Sequence, residues 1–187
     1  MDEFSIIRKL AEKLTNAKSN PPGVAVGIGD DAAVITPTTG KQTVLTCDTM
    51  VETVDFLPWT MDDESVGWKA MAQNVSDLAA MGAVPRYALV ALAAPRGCPM
   101  DRIERIFAGL QACAEQYGVV IIGGDMSASP EHIFVTVTAV GEVEEGRAIL
   151  RSGARVGDAV FVTGPLGLSA AGLDWLSRRR ERGEGGD

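Results

Sequence analysis

Apolar residues recur along this chain with two periods, one helical and one strand-like. Phe4, Ile7, Leu10, Ala11 and Leu14 fall at helical spacing. Residues 3–15 therefore read as an amphipathic helix, broken by Asn20-Pro21-Pro22-Gly23. Short apolar runs around Val34-Ile35 and from Val44 to Cys47 read as strands joined by the polar turn Pro37 to Gly40. A second helix spans Asp63 to Met81, capped by Asp62 or Asp63 and ended by Gly82, with Pro85 preventing continuation. Residues 86–93 read as a buried strand. The spacing of Ile103, Ile106, Phe107, Leu110 and Ala114 predicts a helix over 100–117, with Gly118 at its end. Strands at 119–122 and 133–140 complete the pattern. Helices and strands mix without strict βαβ alternation, which predicts an α+β fold with a mixed or antiparallel sheet flanked by helices.

After Glu144-Glu145-Gly146 the character of the chain changes. Arg151 to Asp158 reads as a connector and Ala159 to Thr163 as a short strand. Gly164-Pro165-Leu166-Gly167 turns into a short helix, and the charged, Gly-rich end from Ser177 reads as a disordered tail. One strand and one helix do not bury a core of their own. The expected organisation is an N-terminal domain over 1–148 and a linker with the start of a second domain over 149–187.

Charge narrows the function classes. With 187 residues, 46% hydrophobic, the chain has the length for a sizeable core. A formal net charge of −8 argues against a nucleic-acid binder, whose footprint is a basic patch. An acidic protein still holds an anionic nucleotide if divalent metals invert the local charge. Cys47, Cys98 and Cys113 form no CxxC pair, so neither a disulfide framework nor a zinc site is suggested, which fits a reducing cytoplasm. The apolar runs, such as Tyr87 to Pro95, are too short to span a bilayer. His132 is the one histidine and lies in a turn beside Pro130 and Glu131, with no nucleophile near it in sequence.

Five aspartates carry the candidate chemistry: Asp30, Asp31, Asp48, Asp77 and Asp125. Asp30-Asp31 follow Gly27-Ile28-Gly29, which allows a sharp turn. Asp48 is expected to close the strand Thr43 to Cys47. Asp125 is expected to close the strand ending in Gly123-Gly124, where missing side chains let a ligand approach the backbone. Asp77 shares a helix face with Asn74. Each alone reads as a turn cap or a solvent-facing residue. Their recurrence points to magnesium, which prefers carboxylate oxygens and bridges them to phosphates. No GxxxxGK[ST] motif is present, and GIGDDA lacks the third glycine of a dinucleotide fingerprint.

The stretches GIGDDAAV at 27–34, TCDTMVETVDF at 46–56 and WKAMAQNVSDLAAMGAVP at 68–85 resemble signature stretches of thiamine-monophosphate kinases. So do YGVVIIGGD at 117–125 and LRSGARVGDAVFVTGPLGLSAAGL at 150–173. The wider superfamily includes aminoimidazole ribonucleotide synthetase, selenophosphate synthetase and a hydrogenase maturation protein. The resemblance implies transfer of the ATP γ-phosphoryl group to thiamine monophosphate, giving thiamine diphosphate. It implies an N-terminal sheet that pairs with a second copy into a barrel across a homodimer. It implies magnesium ligands at Asp31, Asp48, Asp77 and Asp125, with Thr46 and with Cys47 through its carbonyl. Of the Asp30–Asp31 pair only one need face the metal. Gly124 and Asp125 would line the nucleotide phosphates, and Arg151 would contact ATP.

Three departures from the family stand out. Asp55 occupies the place where family members often carry a histidine that meets the thiamine phosphate. Phe107 stands where they often carry a tyrosine near the adenine. Family members also continue through a full second domain. Two other readings stay open: a superfamily relative that uses ATP to activate an amide or carbonyl oxygen, and a catalytically silent nucleotide-binding or dimerisation module.

Overall fold

The computed structural model describes residues 21–183. The helix expected over 3–15 lies outside the described residues. Contacts divide the chain into two compact units, residues 1–150 and 151–187.

In the first unit, β1 (Val24–Val26) and β2 (Val34–Ile35) form an antiparallel pair. A four-stranded sheet follows, built from β3 (Lys41–Val51), β4 (Val84–Pro95), β5 (Val120–Ser129) and β6 (Phe134–Glu144) in the order β3-β6-β4-β5. β6 runs antiparallel to both β3 and β4, while β5 is parallel to β4. Thus β3, β4 and β5 all point one way. The helices α1 (Asp63–Ala80) and α2 (Met100–Tyr117) pack on one face. The parallel β4–β5 pair is joined through α2, as a parallel connection requires a crossover.

Local chemistry accounts for both helices. The Asp62 carboxylate accepts the Ser65 backbone N–H and caps α1. At its other end Gly82, at φ +71°, lets the Ala83 N–H return to the Leu78 carbonyl at 2.9 Å. Gly118 ends α2 in the left-handed region, as its position predicts. Val66, Met71, Ile106 and Leu110 are fully buried against Val135, Val137 and Leu92 of the sheet, and Leu78 packs with Ala139 and Val143. Where the helices cross, a methyl on Gly67 would meet the Ile106 carbonyl oxygen at 1.8 Å, and one on Gly109 would meet the Glu64 carbonyl at 1.9 Å. Two glycines thus set the spacing of α1 and α2.

Alternation along the strands sorts side chains onto two faces. Met50, Val90, Leu92, Val135 and Val137 face the helices. Leu45, Cys47 and Thr49 share the other face with Leu89, Thr136 and Thr138. One end of that face is covered, where Val24 packs with Tyr87 and Ile122. The rest is open, with Leu45 67% exposed.

Several expected elements are corrected. β3 and β5 do not stop at Cys47 and Ile122 but run on to Val51 and Ser129, so Asp48, Gly124 and Asp125 lie within strands. Each strand continues because a neighbour supplies a ladder over its whole length. In the second unit, Ala159–Thr163 is not a strand: among the described residues no edge pairs with it, and Val160 and Phe161 are exposed. Residues 177–181 are not a disordered tail but the end of α3 (Leu168–Glu181). The good helix formers there are joined by an Asp174–Arg178 ion pair one turn apart and by Arg179 over the Trp175 ring. A 3-10 turn, Arg151–Gly153, opens this unit.

Candidate magnesium and nucleotide site

Thr46 and Asp77 come together. The Thr46 hydroxyl donates to the Asp77 carboxylate at 2.8 Å, linking β3 to the end of α1. Asp48, two residues beyond Thr46, lies on the same helix-facing side of β3, opposite Val137. β3 is an edge strand, so these side chains are partly open to solvent.

Electrostatics favour a cation at this place. Asp77 sits in the last turn of α1, at the negative end of the helix, and no basic residue occupies that turn. An unpaired carboxylate there is disfavoured by about 0.3–1 kcal/mol. Two carboxylates and a hydroxyl fit magnesium, which takes one or two protein carboxylates and completes its shell with water and phosphate oxygens. Among the described residues, however, no group of three or more carboxylate, histidine or cysteine side chains is placed to hold a metal ion.

The remaining candidates lie elsewhere. Asp125 pairs in register with Ala91 on the open face, where Ser127 donates to it at 2.8 Å. The ladder runs from Asp48 through Val137 and Val90 to Gly124. Asp48 and Asp125 of one chain are therefore about three strand spacings apart, on the order of 14 Å, and on opposite faces. They cannot share one ion within a single chain. The Cys47 thiol also points to the open face, where the Thr138 hydroxyl donates to it at 3.3 Å.

Asp30 and Asp31 lie in the exposed approach to β2, where Gly29 takes φ +123° and the Asp30 carboxylate accepts the Asp31 N–H. Asp55 is tied into the turn after β3: its carboxylate accepts the Val51 N–H at 2.8 Å and its carbonyl accepts from Lys69. Phe107 is partly buried and packs against the main core. Gly124 runs so close to β4 that a methyl there would meet the Val90 carbonyl oxygen at 1.8 Å. Arg151 is exposed in the second unit.

An open depression of about 410 Å³ lies where β3, β4 and β5 end, lined by Glu52, Thr53, Cys98, Arg102 and His132 among others. Burial pushes the Cys98 thiol up from its ordinary value. Glu52 and Arg102 are residues the sequence reading passed over. The signal was present: Glu52 continues the alternation of Thr46, Asp48 and Met50, which turns it inward, and a buried carboxylate requires a partner.

Residues 29–143 match the family described as AIR synthase related protein, N-terminal domain. The thiamine-monophosphate kinase of Bacillus subtilis strain 168 is 44% identical over 176 residues, 94% of this chain and 53% of that protein. That of Synechococcus elongatus is 45% identical over 148 residues, 79% of this chain and 45% of that protein. Among solved structures, thiamine-monophosphate kinase from Stenotrophomonas maltophilia K279a superposes with a TM-score of 0.78 at 36% identity, covering 98% of this chain and 54% of that one. AaThiL complexed with AMPPCP and TMP gives a TM-score of 0.71 at 37% identity, covering 96% and 53%. The chain spans about half the length of the curated relatives it matches. The α+β architecture, the matched family and the identities agree: the chain is similar to thiamine-monophosphate kinases and belongs to the AIR synthase related family.

Proposed function

We propose that this chain is the nucleotide- and magnesium-binding part of a kinase that phosphorylates thiamine monophosphate to thiamine diphosphate, with ATP as donor. The observation that carries this reading is the Thr46–Asp77 junction beside Asp48, at a helix end that lacks a positive charge. The AMPPCP and TMP bound by AaThiL support both substrates.

In this reading Asp48 and Asp77 hold magnesium, with Thr46 beside them and Asp31 and the Cys47 carbonyl completing the set. Bound there, magnesium supplies charge neutralisation for the phosphate oxygens. Phosphoryl transfer through a loose transition state needs positioning more than covalent chemistry, so the transfer is direct and in line. The Thr46 hydroxyl orients the Asp77 carboxylate. Gly124 and Asp125 line the phosphates. Phe107 stacks near the adenine. Asp55 stands at the thiamine-phosphate end with one carboxylate oxygen engaged by its own turn, so it faces the cationic thiazolium better than a phosphate.

The distance between Asp48 and Asp125 supports a site shared by two copies. Among the described residues the outer edges of β3 and β5 are unpaired in one chain, and their pairing between copies closes a barrel over the open apolar face. We therefore read the protein as a homodimer, and free Cys47, Cys98 and Cys113 fit a reducing cytoplasm. Among the described residues no helix is long and apolar enough to cross a membrane.

The test is magnesium-dependent binding of AMPPCP together with thiamine diphosphate formation by the 187-residue chain. Asp77→Asn is expected to weaken magnesium-dependent binding at least about tenfold while the melting temperature holds. Unchanged nucleotide affinity in that variant counts against the metal role. Binding without turnover identifies a silent nucleotide-binding module. Nucleotide hydrolysis indifferent to thiamine monophosphate points to amide or carbonyl activation instead.

A further inference from the structure

A network of charged side chains joins the elements that carry the candidate ligands. Glu52 follows β3 and is 6% exposed. One of its oxygens accepts from the Arg102 guanidinium at 3.1 Å, and the other accepts the Ile133 backbone N–H at 2.9 Å. Through Nε, the same guanidinium donates to Asp63 at 2.9 Å. Asp63 is the first residue of α1, and Asp77 lies near that helix's far end. One side chain of α2 therefore ties the strand bearing Thr46 and Asp48 to the helix bearing Asp77. Arg105 adds a contact to the other Asp63 oxygen at 2.9 Å but does not reach β3.

Two physical points argue that this network does more than add stability. A largely buried ion pair is often no better for stability than an apolar cluster of the same volume, because desolvation offsets the attraction. The turn that the network supports is also strained. Thr53 has φ +72°, the one non-glycine residue with positive φ among the described residues, and it is β-branched. Such a conformation persists only where its surroundings over-determine it.

We propose that Arg102, clamped between Glu52 and Asp63, is a positioning residue that sets α1 against β3 and so fixes the approach of Asp77 to Thr46 and Asp48. The proposal rests on the magnesium reading given above. The lever is long. Asp63 and Asp77 are separated by about 21 Å of helix, so a tilt of about 5° at the clamped end displaces Asp77 by about 2 Å. Magnesium tolerates little such error, since it demands near-octahedral geometry.

The experiment titrates the full 187-residue chain with magnesium and reads AMPPCP binding by calorimetry, well below the melting temperature. Arg102→Lys keeps the charge but loses the planar fork that serves two carboxylates at once. It is expected to raise the half-saturating magnesium concentration about tenfold. Ile106→Val destabilises α2 without touching the clamp and is expected to leave that concentration unchanged. In the metal-free chain, hydrogen exchange at residues 53–55 should rise in Arg102→Lys and stay low in Ile106→Val.

If Arg102→Lys does not fold, Glu52→Gln carries the same expectation, because it keeps an acceptor for the Ile133 N–H. A wild-type magnesium requirement that Arg102→Lys leaves unmoved, or that Ile106→Val moves equally, overturns the clamp alone. Absence of magnesium-dependent binding in the wild type overturns the functional reading, and the clamp with it.

Discussion

Glu142 shows how a charge is kept inside this fold. It is 7% exposed and accepts from the Thr38 hydroxyl at 2.7 Å and from Arg86 at 3.1 Å. The Thr38 hydrogen bond, with Arg86 behind it, holds its carboxyl below the ordinary value of 4.5 against the opposing effect of burial. A depressed carboxylate stabilises the fold above its unfolded pKa and loses that contribution as pH falls through its folded pKa. We expect the melting temperature to fall as pH drops below about 4.5, and Glu142→Gln to flatten that slope while lowering stability at neutral pH. Melting curves from pH 3 to pH 7 decide it, and an unchanged slope would refute the assignment. Cys113 is the opposite case: burial alone pushes its thiol up to about 11. It should resist iodoacetamide at pH 7.5 in the native state and react on unfolding, as mass spectrometry of the alkylated chain will show.

At the scale of elements, the helix pair was legible from sequence and its spacing was not. Helix propensity alone favours alanine over glycine by about 1 kcal/mol at positions such as Gly67 and Gly109. Contact reverses that preference. Each glycine faces the partner helix's backbone, and a methyl would force the helices apart. We expect Gly67→Ala to cost about 1–3 kcal/mol net, measured by urea unfolding, and a neutral or stabilising result would sink the close-contact account. The strand ends were misjudged for a related reason. Gly123, Gly124 and Asp125 resemble a terminus in sequence, yet β4 offers a ladder to all three and β5 continues through them. Ala159–Thr163 has strand composition but no described neighbour, and stays outside any sheet.

For the whole molecule, the decisive feature is the sheet's open face. Helices cover one side, the β1–β2 pair covers one end of the other, and Leu45 and Leu89 are left 67% and 38% exposed. In the homodimer reading, that face and the two sheet edges left unpaired among the described residues form the interface. In the homodimer reading, sedimentation equilibrium should give a mass twice that of the chain, and Leu45→Glu should return it to the monomer. A wild-type monomer at high micromolar concentration would refute the shared site.

The sequence by itself determined the helices α1 and α2, the mixed character of the sheet and the family, because periodicity, caps and contiguous motifs are local properties of the chain. It also named Thr46 and Asp77, which a hydrogen bond joins, and Asp48 on the same face of β3. It could not say that Asp125 lies on the opposite face, because facing depends on register across β6 and β4. Nor could it show that Glu52, Arg102 and Asp63 form one network. Those residues stand far apart along the chain, and only the packing of α2 against the start of α1 and the end of β3 brings their charges within hydrogen-bonding reach.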